Sequence, residues 1–156
     1  MLRARKQLPQ VSAAGLRFGV VAASYNTEFA DALLSNCLDT LAKAGADTRD
    51  ILVVRVPGSF EVTAAAARLA KGGKYDCVIA LGILLQGETR HAQYIADAVA
   101  HGLTSIAIQT GVPTIFGIVA VNNPRQARVR CVGKQHNRGR EAALAAIQMA
   151  RAWKSI

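Results

Sequence analysis

The chain has 156 residues, a length that favours one domain with a single compact core. Hydrophobic residues make up 51% of it, but no apolar run approaches the roughly 20 residues of a membrane-spanning helix, and its three cysteines have neither the even number of a disulfide framework nor the spacing of a zinc site. The net charge of +9 could indicate a nucleic-acid-binding protein, but the distribution of the charge along the chain argues against nucleic-acid binding.

The positive charge is concentrated at the two ends of the chain. Residues 1–6 carry three positive charges and no negative one, and residues 122–156 carry eight against the single Glu141. The middle segment is nearly balanced and few aromatic residues lie among the basic ones, which favours a local anion site or a charged surface over a nucleic-acid groove. The basic start lacks the continuous apolar segment of a signal peptide, so we expect a soluble cytoplasmic protein with no membrane partner.

Short β-branched runs alternate with longer Ala-rich runs, a pattern typical of parallel strands joined by crossover helices. The predicted strands cover 17–24, 50–58, 75–85 and 113–121. The predicted helices begin near Asn26, Glu61, Thr89, Asn123 and Asn137. The third strand is wholly apolar, as a strand covered on both faces should be. The sequence therefore predicts an α/β layer sandwich with a four-stranded parallel sheet.

Some helix ends have recognisable signals. Asn26 is placed to cap the first helix. Asn123 followed by Pro124 is a strong start, because proline at the first helical position gives up a donor that has no partner there. We expect the third helix to run from about Thr89 to Gly111.

In an open parallel sheet, ligands bind beyond the carboxyl ends of the strands, and the segment GETRH follows the third strand. Gly87 permits a tight turn, and the free amides of Glu88, Thr89 and Arg90 at a helix start would form a cradle for an anion such as phosphate. His91 would lie beside that anion, where an imidazole could pass a proton either way. From spacing alone, a capped helix with a packed histidine is the commoner outcome, and both interpretations stay open.

Two other strand-to-helix segments, SYN and PGSFE, carry candidate binding residues. Ser59 and Glu61 could hydrogen-bond a polyhydroxylated ligand, although capping the second helix and favouring its dipole are simpler roles for them. Tyr25 and Phe60 could stack on a planar ring, with packing in the core or at its rim as the alternative. A basic cluster between the last two helices could bind an anion or be a solvated face. Its members are Arg130, Lys134 and Arg138.

Taken together, these motifs resemble the 6,7-dimethyl-8-ribityllumazine synthase family. They are SYN, VPGSFE, GKYDCVIALG, GETRH, TGVPTIFGI, NRG and AALAAIQMA, and the resemblance runs from Phe18 to Trp153. It implies a flavodoxin-like three-layer αβα sandwich and a transferase of riboflavin biosynthesis. The enzyme would condense 5-amino-6-ribitylamino-pyrimidinedione with 3,4-dihydroxy-2-butanone 4-phosphate, release phosphate and water, and use no metal or organic cofactor.

The resemblance also implies a role for each candidate residue. His91 would be the acid/base group, and Arg130 would pair with the phosphate. The phosphate cradle would comprise Gly87, Glu88 and Thr89. The pyrimidine and its ribityl chain would contact Tyr25, Asn26, Ser59, Phe60, Glu61, Gly82, Ile83, Leu84 and Phe116. Lys134 and Arg138 retain charge at the family's basic turn and are further candidates.

A shared site is also implied, in which Phe116 and Arg130 complete the site of the adjacent subunit in a pentameric ring.

We expect residues 15–156 to form the single domain and residues 1–14 an amino-terminal arm. The turn VRCVGKQHNRG has no insertion, which leaves a sixty-subunit shell of twelve rings open, although the basic ends would oppose the packing of rings. A flavin-binding or cage-forming homologue without activity is the alternative.

Four positions depart from the family's usual pattern. Tyr25 takes the place of a phenylalanine, and Gln86 stands where a basic residue is common. Ala92 and Gln93 replace an aromatic and an acidic residue after the histidine. We therefore expect a site that is less positive than usual.

Overall fold

The structure, a computed structural model, describes residues 11–156, so the first ten residues of the predicted arm lie outside the described part. The strands are β1 (Phe18–Ala23), β2 (Ile51–Val56), β3 (Cys77–Leu85) and β4 (Thr114–Val121). They form a parallel sheet in the order β2–β1–β3–β4. The helices are α1 (Thr27–Lys43), α2 (Val62–Lys71), α3 (His91–Thr110), α4 (Pro124–Ala127) and α5 (Arg138–Lys154). Every predicted strand and helix is present.

Helices cover both faces of the sheet, which confirms the flavodoxin-like three-layer αβα sandwich. Helices α1 and α5 pack together on one face, and α2 and α3 pack together on the other. Side chains alternate along each strand, so Val20 of β1 lies in the core under α1 and α5 while Val21 lies in the core under α2 and α3. Strand β3 pairs with both β1 and β4 and is buried on both faces, which explains its wholly apolar sequence.

Two of the predicted helix starts are confirmed down to the capping bond. The side chain of Asn123 accepts a hydrogen bond from the amide of Gln126 at 2.9 Å, and that of Asn137 accepts one from the amide of Arg140 at 3.0 Å. Asn26 occupies the cap position of α1, but in the left-handed conformation with φ of 58°, and its side chain makes no capping bond. The predicted cap position of Asn26 is therefore confirmed, but without a side-chain bond, which an extended backbone at the capping residue normally accompanies.

Helix α3 begins at His91, two residues after the predicted start at Thr89, and its end at Gly111 is confirmed. Gly111 has a φ of 69°, the left-handed conformation in which glycine ends many helices. Gly102 does not interrupt the helix, and it lies where α2 packs closely against α3. A Cβ atom on Gly102 would collide with the side chain of Thr63.

The last turn of α5 is tied to the edge of the sheet that lies away from the strand carboxyl ends. Trp153, the single tryptophan of the chain, donates from Nε1 to the carbonyl oxygen of Gly111 at 2.7 Å. Arg151 donates to the carbonyl oxygens of Ser12 and Ala14 at 3.0 and 2.7 Å. The described start of the chain therefore lies against α5.

The three cysteines, Cys37, Cys77 and Cys131, are buried and unpaired. Burial raises the pKa of Cys37 and of Cys131 to about 12, and it raises the pKa of Cys77 as well. Within residues 11–156, no three His, Cys, Asp or Glu side chains group closely enough to hold a metal ion. None of the described helices combines the length and the apolar character needed to span a bilayer.

We expect Gly139→Ala to destabilise the fold by about 1 to 3 kcal/mol, because the added methyl group would overpack a tight helix contact. A Cβ atom at Gly139 would collide with the backbone carbonyl oxygen of Leu33, so α1 and α5 would have to separate. Urea unfolding at one fixed subunit concentration measures the change. The matched control is Gly72→Ala, where the new Cβ atom would lie at an ordinary 3.5 Å from its nearest neighbour. Equal stability of the two variants would contradict the prediction.

Candidate active site

A cleft of about 940 Å³ opens at the carboxyl ends of β1, β2 and β3, and we call it the histidine cleft. Its volume is within the usual range for small-molecule sites. The predicted residues that line it are Tyr25, Asn26, Ser59, Phe60, Glu61, Ile83, Leu84, Gly87, Thr89 and His91. Gly82 and Glu88 do not line the cleft themselves and are adjacent in the chain to residues that do. The structure thus brings together three of the segments that the sequence singled out.

The loop between β3 and α3, residues 86–90, forms one wall of the histidine cleft. It starts at a fixed point, because the amide of Gln86 donates to the carbonyl oxygen of Val121 at the end of β4 at 2.8 Å. Within the part of the chain that the structure describes, the amides of Glu88, Thr89 and Arg90 donate to no acceptor. These three donors precede the first turn of α3, so the loop has the free amides that an anion requires.

His91 is the first residue of α3, and its side chain is exposed on the histidine cleft. Its amide donates to Oγ1 of Thr89 at 3.4 Å, which links the histidine to the preceding turn. The side chain is therefore not part of the hydrophobic core of the chain. An imidazole in this position borders both the free amides of the loop and the open volume of the cleft.

Ser59 is held at the floor of the histidine cleft by β3. It is 95% buried, and its Oγ donates to the carbonyl oxygen of Ile83 at 3.4 Å. Gly82 makes this position accessible, because a Cβ atom there would collide with that Oγ. Glu61 accepts a hydrogen bond from the amide of Gly58 at 3.0 Å and so folds the PGSFE turn, rather than capping α2 with its side chain.

Aromatic side chains project into the histidine cleft instead of the core. Tyr25 is 73% exposed and Phe60 is 59% exposed, so neither packs as a core residue in the isolated chain. Tyr94, which sequence reasoning missed, also lines the cleft and is 65% exposed. Its position three residues after His91 puts it on the same face of α3, and this spacing was the signal that could have identified it.

A second cleft, of about 830 Å³, lies between β4, α4 and α5, and we call it the arginine cleft. It contains Phe116, Arg130 and Arg138, together with Arg125, which sequence reasoning did not select. Phe116 is 46% exposed. Nη1 of Arg138 lies 2.6 Å from Oε2 of Glu141, so part of its charge is already paired. The predicted residues therefore fall into two groups, and Lys134 lines neither cleft.

A π-helical turn over residues 128–132 carries Arg130 to the arginine cleft. Asn137, which is 98% buried, holds this turn by donating from Nδ2 to the carbonyl oxygens of Cys131 and Gly133, both at 3.0 Å. Asn36 of α1 also donates to the carbonyl oxygen of Cys131, at 3.3 Å. The side chain that caps α5 thus also holds the π turn that carries Arg130, and π turns are frequent at functional sites.

The fold and the clefts together define a flavodoxin-like α/β protein with an open cleft at the carboxyl edge of its sheet, where proteins of this architecture bind their ligands. A family model described as 6,7-dimethyl-8-ribityllumazine synthase matches residues 15–154. A protein of that name from Aquifex aeolicus (strain VF5) is 41% identical over 147 residues, which cover 94% of this chain and 96% of the relative. The chain belongs to the 6,7-dimethyl-8-ribityllumazine synthase family.

Proposed function

We propose that the histidine cleft and the arginine cleft are the two halves of one active site, contributed by neighbouring copies of the chain. As a member of its family, the chain is a transferase of riboflavin biosynthesis. It condenses 5-amino-6-ribitylamino-pyrimidinedione with 3,4-dihydroxy-2-butanone 4-phosphate to 6,7-dimethyl-8-ribityllumazine, with release of phosphate and water. The observation that carries the proposal is the separation of His91 and Arg130 into different clefts of a single chain.

The reaction needs proton transfer and charge neutralisation at the same place. The aromatic amine adds to the carbonyl group of the butanone phosphate, water is lost to give a Schiff base, phosphate leaves, and the second ring closes with loss of a second water molecule. His91 borders the cleft beside the loop of residues 86–90 and is the group we assign to these proton transfers. The free amides of Glu88, Thr89 and Arg90 lie at the start of α3, where the helix dipole favours the negative charge of the phosphate group. Arg130 of the neighbour adds a planar cation that matches phosphate geometry.

The pyrimidine and its ribityl chain would occupy the deeper part of the histidine cleft. The exposed rings of Tyr25 and Phe60 offer apolar faces for stacking on the flat heterocycle. The hydroxyl group of Ser59 and the carboxylate of Glu61 would hydrogen-bond the polyhydroxylated chain, together with the backbone of Gly82, Ile83 and Leu84. Holding both reactants in register removes much of the entropic barrier to condensation.

A site made from two chains requires head-to-tail contacts, which close into a ring if the rotation permits. We propose a pentamer in the cytoplasm, with a sixty-subunit shell as a further assembly. The exposed Phe116 in the arginine cleft supports such a contact, because burial against a neighbour would remove it from water. Edge strand β2 exposes Leu52 and Val53, a surface suited to the amino-terminal arm of another copy. The alternative of a binding homologue without activity has no observation in its favour.

We expect His91→Ala to lower turnover with little loss of stability, because the exposed imidazole acts in proton transfer rather than in packing. General acid/base groups typically contribute about 10²- to 10⁴-fold, and a substantial uncatalysed rate would reduce the observed loss. Lumazine absorbance after mixing both substrates gives the rate. His101→Ala, which removes another exposed histidine of α3, is the control and should retain full activity. Unimpaired turnover in His91→Ala would refute the assignment.

We expect Arg130→Ala to raise the KM for the butanone phosphate by about tenfold or more, since a lost charge-assisted contact costs about 1.5 to 3 kcal/mol. The KM for the pyrimidine should stay nearly unchanged, because only the other substrate carries the phosphate. Initial rates with each substrate varied in turn provide the two constants. Arg140→Ala removes an equal charge from an exposed residue that lines neither cleft. A matched rise in both constants would remove Arg130 from the phosphate site.

Mixed rings test whether two chains share one site. Each of the two variants, His91→Ala and Arg130→Ala, should be impaired alone. Co-expression in equal amounts should restore about a quarter of the sites. In a randomly mixed ring, an intact His91 is paired with a neighbour's intact Arg130 at that frequency. Mixing the separately assembled variants without subunit exchange is the control. Sedimentation at moderate salt reports the assembly in parallel. No gain on co-expression, or an active monomer, would contradict the shared site.

A further inference from the structure

The side chain of Gln86 turns back over the loop that it begins. Its Nε2 donates to the carbonyl oxygen of Thr89 at 3.0 Å and to that of Gly87 at 3.5 Å. Its own amide is anchored to the carbonyl oxygen of Val121 at 2.8 Å. One residue, fixed to the sheet through its backbone, therefore holds two carbonyl groups of residues 86–90 on the same side of the loop.

Because of peptide geometry, the direction of these two carbonyl groups also sets the direction of two of the free amides. In a planar trans peptide unit, the carbonyl oxygen and the N–H group point in opposite directions. The carbonyl group of Gly87 shares its unit with the amide of Glu88, and that of Thr89 shares its unit with the amide of Arg90. Two carbonyl groups that point towards Gln86 therefore turn these two amides to the opposite side of the loop.

We propose that Gln86 is a positioning residue of the phosphate site, which presents the amides of Glu88 and Arg90 to the phosphate group of the substrate. This inference rests on the proposed function. The side-chain amide fixes the loop before the anion arrives, so less ordering is required on binding. It also polarises the two peptide units, because a hydrogen bond to a carbonyl oxygen strengthens the donor in the same unit.

The test uses the full-length enzyme with Gln86→Met, which keeps the length and neutrality of the side chain and removes its donor. Gln86 is exposed, so the substitution leaves the core untouched. We expect the KM for the butanone phosphate to rise by about threefold to tenfold, the effect of one net hydrogen bond. The inhibition constant of inorganic phosphate should rise by the same factor, while the pyrimidine KM and kcat stay unchanged.

The matched control is Gln93→Met, because Gln93 is an exposed glutamine of α3 that also donates one side-chain hydrogen bond, to Asp97 at 2.8 Å. It should leave both constants unchanged. Salt provides a second measurement. The rise in the KM for the butanone phosphate in Gln86→Met should persist as the ionic strength increases, because the side-chain amide of Gln86 is neutral. The corresponding rise in Arg130→Ala should shrink.

Unchanged phosphate inhibition in Gln86→Met would overturn the inference. An equal rise of both KM values would do so as well, because it would indicate general damage to the site. Loss of the folded state would make Gln86 a structural residue and would also count against it. Wild-type protein that forms no lumazine would instead refute the proposed function, so the two failures are distinguishable.

Discussion

The parallel pairing of β3 with β1 on one side and β4 on the other is the constraint on which the rest of the structure depends. Because all strands run in the same direction, their carboxyl ends meet at one edge, and the segments that follow them have to converge there. Ser59 is held by the carbonyl oxygen of Ile83 in β3, and the loop of residues 86–90 starts where β3 ends against β4. Disruption of this ladder would therefore separate the residues of the histidine cleft as well as unfold the core.

The aromatic residues are divided between the core on the two faces of the sheet and the two clefts. The buried core consists mainly of Ala, Val, Leu and Ile, with Phe18 and Phe29 as its buried rings. The rings exposed at the two clefts are Tyr25, Phe60, Tyr94 and Phe116. A chain with only 5% aromatic residues thus places half of its aromatic rings at the two clefts, where they meet solvent in the isolated protomer. Exposed rings around two clefts are what a ligand on one side and a neighbouring chain on the other would cover.

Sequence reasoning identified the fold because its signals are local or periodic. The apolar run of β3 and the caps at Asn123 and Asn137 depend on neighbours in the chain, and both were confirmed. The left-handed backbone of Asn26 was missed, since it depends on how the SYN turn leaves β1. The π turn at 128–132 was also missed, because its geometry depends on donors from Asn36 and Asn137 that are distant along the chain or serve a second role. The division of the candidate site residues between two clefts was expected only through the family resemblance, because it depends on tertiary structure that no spacing in the sequence records.

The position of Trp153 has a consequence for spectroscopy. The indole is hydrogen-bonded to the carbonyl oxygen of Gly111, at the edge of the sheet opposite the loop of residues 86–90. Its emission therefore reports on the docking of the last turn of α5 and is remote from the rings that would stack on a substrate. Intrinsic tryptophan fluorescence therefore follows unfolding of this protein, whereas two of its three tyrosines, Tyr25 and Tyr94, line the histidine cleft. A single sample thus contains separate optical reporters for the integrity of the fold and for the state of its cleft.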